Sequence, residues 1–315
     1  MKTANNPSLN RDALYAKSKV YIGRGLRAQA NGDTEEYQLW ASLALELIGK
    51  AALAGVHPAL IADPGHSHSL FAACGVQLSP EVRTIAAKTV FDRLTHIEKG
   101  FDLRHQTFCE QMAIRRNAEL HSGESPFSGM SPEAWEREFW GAVEIVLRIQ
   151  KESLESWLGS EGAKAPTKII ELAEAALEWA VKNRISHCRQ DFEKKYPNPK
   201  DRAKLIEESK LIPVWKQMLN LKIDGDGFEQ NLCPACGVNG ILAGSLWTEE
   251  VSEEQDAEDP ATEWWDETYL VEQFLCPTCI FRVHGRKEIA AANLPEEFEK
   301  SEPREREFEP DYGND

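Results

Sequence analysis

The run FDLRHQTFCEQMAIRRNAELH, Phe101 to His121, decides how the rest of the chain is read. Phe101, Phe108 and Met112 recur on one face of a helix, with Arg116 on its flank, while Leu103, Ile114, Asn117 and His121 mark a nearly opposite face. Ser122-Gly123 stops the pattern. Residues four apart share a helical face, so Asn117 and His121 go together, whereas residues five apart diverge by about 140°. One helix therefore does not present Arg116 and His121 together. A frayed helix end, or a second copy of the helix, supplies what is missing.

The chemistry of the pair is specific. Histidine is the usual proton carrier near neutral pH, and arginine is a permanently charged fork suited to phosphate oxygens. Together they suit metal-independent RNA cleavage. The imidazole handles the proton of a ribose 2′-OH, that oxygen attacks its own 3′-phosphate to leave a 2′,3′-cyclic phosphate, and the guanidinium stabilises the developing charge. DNA lacks the hydroxyl, so such a site selects RNA. The competing reading is a solvated arginine and a histidine capping the last carbonyls of a helix.

Arg116-Asn117-x-x-x-His121 resembles the R-[N/D/H]-x-x-x-H signature of the HEPN family of ribonucleases. Arg115 stands six before His121; Arg116 is preferred because Asn117 follows it. The resemblance implies a helical bundle with the motif late in it, and a homodimer in which both motifs line one cleft. It also implies an endoribonuclease of the toxin or defence-effector kind, with RNA as substrate and a protein inhibitor or activator as partner. Members often carry a polar residue on an earlier helix that orients the motif arginine, and Glu46 is the candidate; its other reading is an i,i+4 salt bridge to Lys50. Some HEPN toxins paired with a nucleotidyltransferase carry a tyrosine two places after the histidine. Here that place is Gly123, which counts against that form of control.

Working outward, the expected fold is mainly α: a HEPN-like helical bundle, a helical extension and a small zinc-ribbon β domain. Asn10 to Ala30 reads as a first helix. Asp33 with Glu36 caps a second that runs to Val56 and is apolar nearly all round, hence central. His57 to Gly75 reads as a loop; His66 and His68 in it lack companions at ligand spacing. Ser79-Pro80 opens a third helix reaching Lys99, and Ser131-Pro132 opens a long one reaching Leu158. The bundle is assigned to residues 1–160. Residues 161–221 form the extension: a short linker, a helix from Pro166 to Tyr196 whose buried stripe includes Cys188, and a further helical piece from Asp201 to Leu219.

The strongest local signal is Cys233-Pro-Ala-Cys236 with Cys276-Pro-Thr-Cys279. Two C-x-x-C knuckles offer four thiolates, the donor set of a closed tetrahedral zinc site, so the expected cofactor is one structural zinc per chain and none for catalysis. Gly240 to Trp247 and Thr268 to Leu275 read as the ribbon's short strands, within a domain at 222–292. The 39 residues between the pairs exceed the usual ribbon interval because an acidic insert, 248–266, lies between them. Trp264-Trp265 stands within that insert, as either a contact surface or a tucked-in flap. Residues 293–315 read as a disordered acidic tail.

The net charge of −16 is confined to two places. Glu249 to Glu267 holds ten acids and no base, and Glu296 to Asp315 a net of −6, so the remainder is formally neutral and open to RNA. A polar start to the chain, no apolar run of membrane-spanning length and an odd count of seven cysteines point to a reducing cytoplasm and no membrane. Two further readings stand beside the ribonuclease: a non-catalytic adaptor that binds RNA or protein, and a redox or zinc sensor.

Overall fold

Two capping side chains start the helical part. Asn10 accepts from the Ala13 amide and Asp33 from the Glu36 amide, giving α1 (Arg11–Ala30) and α2 (Thr34–Val56). Gly32, with φ +80°, reverses the chain between them. The computed structural model describes residues 6–218, 221–255, 259 and 261–306. They divide at Glu174/Ala175 into two compact units. In the first, a 3₁₀ turn (Pro58–Leu60) and α3 (Ser67–Ala73) precede α4 (Ala87–Thr95), α5 (Leu103–His121), α6 (Glu136–Ile149) and the start of α7 (Leu154–Lys195).

As its all-round apolar pattern foretold, α2 is central. Ala41, Ala44, Leu45, Ile48, Ala51 and Leu53 have no exposed surface, and the helix packs on α1, α4, α5 and α6. Phe139, Val143 and Val146 of α6 and Cys109 and Met112 of α5 close the same core. Polar ties are few and buried: Tyr37 Oη and Gln29 Nε2 each donate to Glu136 at 2.7 Å, and the Trp157 indole donates to Ser18 at 2.9 Å. By length and composition α2 also meets the requirement for crossing a membrane, a property the sequence reading had denied to every run; here its apolar positions make the core.

Several expected boundaries move. The third helix is only α4; Ser79 to Ile85 is irregular and bridges Ala62 to Thr84. Part of the expected loop 57–75 is α3, which follows His66; the His66 ring lies 2.8 Å from Ser69 Oγ. The long helix from Ser131 to Leu158 is cut by a reversal: Glu152 N–H donates to the Leu147 carbonyl and Lys151 N–H to Arg148, with Lys151 at φ 58°. This is the Schellman ending of a helix, invisible to a search for glycine because lysine holds the left-handed position. At Gly159 (φ +78°) α7 breaks once more and then continues past Pro166.

In the second unit α7 is followed by α8 (Pro199–Lys210) and α9 (Val214–Met218), then β1 (Gly227–Leu232), β2 (Asn239–Val251), β3 (Thr262–Leu275), β4 (Arg282–His284), α10 (Arg286–Ala291) and β5 (Glu297–Glu305). The expected mainly-α fold with a small zinc ribbon is thereby corrected. The chain is 55% helix and 16% strand, and its C-terminal part is a curled antiparallel half-barrel. The strand order is β1-β2-β3-β4, with β5 beside β4 on the same edge of β3. Register shifts at Ala243/Gly244 and Leu246/Thr248 bend the sheet.

Acidic residues concealed its true extent. The segment expected as an insert at 248–266 is in large part the outer half of β2 and β3, with Glu249 opposite Glu267 and Val251 opposite Trp265. The tail expected to be disordered supplies β5 from Glu297 to Glu305; residues 307–315 lie outside the described part. Arg304 pairs with both Glu249 (2.7 Å) and Glu267 (2.5 Å), and its guanidinium stacks 4.6 Å over the Trp265 ring. Trp264 and Trp265 are half-buried in β3, which favours the tucked-in reading.

Gly240 marks the tightest crossing in this sheet. A Cβ there would stand 2.4 Å from Phe274 Cζ and 2.8 Å from the Leu275 carbonyl oxygen. Gly240→Ala is expected to cost about 1–3 kcal/mol by overpacking, read as a fall in the urea midpoint with an unchanged slope.

Candidate functional site

In the first unit the site is built on two helices. Asp102 caps α5 by accepting from the His105 amide at 3.1 Å, and Ser122 ends it by donating its hydroxyl to the Ala118 carbonyl at 2.7 Å. The α5 face bearing His105, Cys109 and Met112 is buried, and Arg116 goes in with it, at 9% exposure. Ser42 of α2 donates to the Met112 carbonyl at 2.9 Å, which holds the two helices in register one turn before Arg116.

Glu46 meets both of its expected partners. Its carboxylate pairs with Lys50 at 2.7 Å and also accepts from Arg116 Nη1. Burial alone would raise the Glu46 carboxyl; the charge of Lys50 and the hydrogen bond from Arg116 outweigh it and hold the group below the usual carboxylate value. Asn117 Oδ1 accepts from Arg116 Nη2 at 2.8 Å and Nε at 3.2 Å. Lys50, itself buried, donates to Thr84 Oγ1 at 3.0 Å, a partner that no spacing rule could have found. The result is a buried chain of alternating charge, Lys50–Glu46–Arg116, ending on Asn117. Arg115 is not part of it; Nη1 lies 3.3 Å from the Met130 sulfur.

The structure does not bring His121 to this chain. The residue is exposed at the last turn of α5, and among the described residues its side chain makes no hydrogen bond or ion pair. It shares its face with Leu103 and Ile114, which are 66% and 65% exposed. Three of the four residues named from the sequence are assembled, and the fourth stands apart, as the 140° divergence requires.

The second site is the cysteine cluster. β2 leaves the first knuckle and β3 returns to the second, and their pairing of Ile241 with Leu275 puts both at one end of the sheet. Each knuckle closes alike: Gly237 N–H donates to the Cys233 carbonyl at 2.8 Å, and Ile280 N–H to the Cys276 carbonyl at 3.0 Å. Gly237 and Ile280 both have positive φ, 76° and 61°. An isoleucine there is strained, which the knuckle tolerates because its partners over-determine it.

The four sulfurs lie within 4.8 Å of one another, with Cys233 and Cys279 at 3.5 Å and Cys236 and Cys276 at 3.6 Å. Tetrahedral zinc–thiolate bonds of ~2.3 Å set sulfurs about 3.8 Å apart, so this set is fit to hold a metal ion. It is the one group of metal-ligating type among the described residues, and neither His66 nor His68 belongs to one. Cys188, which the sequence assigned to a buried stripe, is half-buried and packs against the apolar cluster that holds Cys233, Cys236 and Cys276.

Comparison with protein-family models, with curated proteins and with solved structures yields no match to this chain.

The charge chain has a pH signature. Because the folded Glu46 carboxyl lies below the ordinary glutamate value of 4.5, its contribution is present above that value and is lost as acid takes the pH through the lower folded one. Glu46→Gln leaves two cations buried without their counter-charge and is expected to cost about 3–5 kcal/mol at neutral pH. In urea unfolding from pH 7 downward, the gap between parent and variant should narrow towards pH 3 as the parent's own carboxylate is protonated.

Proposed function

We propose that this protein is a metal-independent endoribonuclease of the kind its Arg116-Asn117-x-x-x-His121 motif resembles. The observation that carries the reading is the bracketing of Arg116 by Glu46 and Asn117. Three of the five guanidinium N–H groups are committed to these two neighbours, leaving two for phosphate oxygens. A buried arginine fixed in this way supplies preorganised charge, which is worth more than a mobile one because nothing has to be ordered during the reaction. His121 acts as the proton carrier for the ribose 2′-OH, and Asn117 orients.

Arg116 and His121 diverge on one helix, so the reaction needs a second copy. A two-fold dimer through the α5 stripe of Leu103, Ile114 and His121 buries two exposed side chains per protomer and sets each histidine near the partner's face. Light scattering should report a dimer at micromolar concentration without RNA. The cysteine cluster carries one zinc in a structural role, since four thiolates leave no open position. Elemental analysis should find about one zinc per chain, and Cys233→Ser should lose it.

The catalytic test uses single-stranded RNA in excess EDTA at short incubation. The upstream product should end in a 2′,3′-cyclic phosphate, and DNA should resist. His121→Ala should slow the cut on the order of 10²–10⁴-fold, Arg116→Ala comparably, and Asn117→Ala less. A substrate with hydrogen in place of the 2′-OH at the cleaved position should survive. Cutting by His121→Ala at the parent rate, or cutting of that deoxy substrate, sinks the reading. The exposure and isolation of His121 favour a second one, a non-catalytic adaptor that binds RNA or protein, which takes its place in that event.

A further inference from the structure

Where α1 starts and α2 and α6 finish, the first unit holds a cavity of about 640 Å³. That is the size of a small-molecule site. Much of its wall is apolar: Leu9, Ala52, Ala54, Pro58, Ala73 and Ile149. Polar groups stand at a few points among them. Gln150 bridges α2 and α6, its Nε2 donating to the Ile48 carbonyl at 3.4 Å and the Val146 carbonyl at 3.3 Å. Those two bonds fix the amide, and Oε1 is left buried with no partner among the described residues. His57 Nδ1 accepts from the Ala59 amide at 3.1 Å, so Nε2 is the N–H side of its neutral ring. Arg11 is held by Asp12 and by Glu152, each at 2.8 Å. Lys151 is exposed at the lining, and among the described residues its side chain makes no hydrogen bond or ion pair.

We propose that this cavity binds a small amphipathic acid: a compact apolar body carrying one N–H donor and one carboxylate. The body lies against the alanine and leucine walls, the N–H donates to Gln150 Oε1, and the carboxylate meets Lys151 and the His57 Nε2–H, both at exposed residues of the rim. Each part of the ligand answers a separate observation. An apolar wall favours a body that leaves water. A buried acceptor without a donor is a cost carried by the empty protein, and a ligand N–H removes it. A plain fatty acid would leave that acceptor unmet. Of the lysine and arginine side chains that line the cavity, Arg11 is already matched by acids and Lys151 is not, so the unmatched charge selects an anion over a neutral molecule. Arg116 and His121 do not line the cavity, and the inference is independent of the ribonuclease reading.

The test uses the full-length protein and three probes of similar size. Indole-3-acetate has the body, the N–H and the charge; naphthalene-1-acetate lacks the N–H; tryptophol lacks the charge. Titration calorimetry should show indole-3-acetate binding several-fold more tightly than either of the others, with an affinity that falls as salt is added. Lys151→Asn keeps a residue suited to the φ of 58° at this position; it should bind indole-3-acetate several-fold more weakly and lose the salt dependence. Val56 lines the cavity at the last turn of α2 and is 45% exposed, so Val56→Trp should keep the fold, checked by circular dichroism, and block binding. The place is read at Cys74, an exposed thiol of the lining. Indole-3-acetate should slow its alkylation by iodoacetamide, followed by mass spectrometry, and leave Cys279 unaffected. No binding at millimolar concentration, equal binding of the three probes, binding undiminished in both variants, or binding that leaves Cys74 unprotected overturns the inference.

Discussion

A carboxylate carried into an apolar helix bundle has to be met by charge, and Glu46 is met twice. α2 supplies most of the core of the first unit and has only two charged positions beyond Trp40, Glu46 and Lys50. Lys50 lies one turn away on the same helix and Arg116 reaches in from α5, so the pairing ties neighbouring helices by the groups that would be most costly to bury alone. Arg116 is therefore drawn inward. Helix geometry then turns His121 outward, because five residues of α-helix separate the two by well over a right angle. The arrangement follows from the need to neutralise Glu46.

The second unit answers to a different constraint. A sheet edge lined with acids repels itself unless something basic covers it, and β5 brings Arg304 between Glu249 and Glu267. At the opposite end of the same hairpin, antiparallel pairing returns the two cysteine knuckles to one place however long the strands between them are. The 39-residue interval carries no structural meaning for the metal site once the strands run out and back together. Two left-handed residues, one glycine and one isoleucine, let both knuckles close in the same way.

The two sites share a logic. Each gathers groups that repel one another or resist burial singly, and each is stable only as a set. In the first the set is completed by opposite charge within the chain. In the second, four thiols converge with no cation of the protein among them, and the convergence itself points to a metal.

Local chemistry was legible in the sequence. The capped start of α2 and its central place, the faces of α5, the strand cores within β2 and β3 and the four cysteines all follow from spacing and residue type. So does the divergence of Arg116 from His121, a property of any α-helix. What the sequence hid depends on contacts between distant segments. Lys151 ends a helix in a conformation usually given to glycine. Thr84 reaches Lys50 from an irregular loop. The acids of β2 and β3 read as solvated until Arg304 of β5 is set beside them. Hydrophobic periodicity records which way a side chain faces on its own element and carries no information about which charge or thiol will stand opposite; only the tertiary structure decides that.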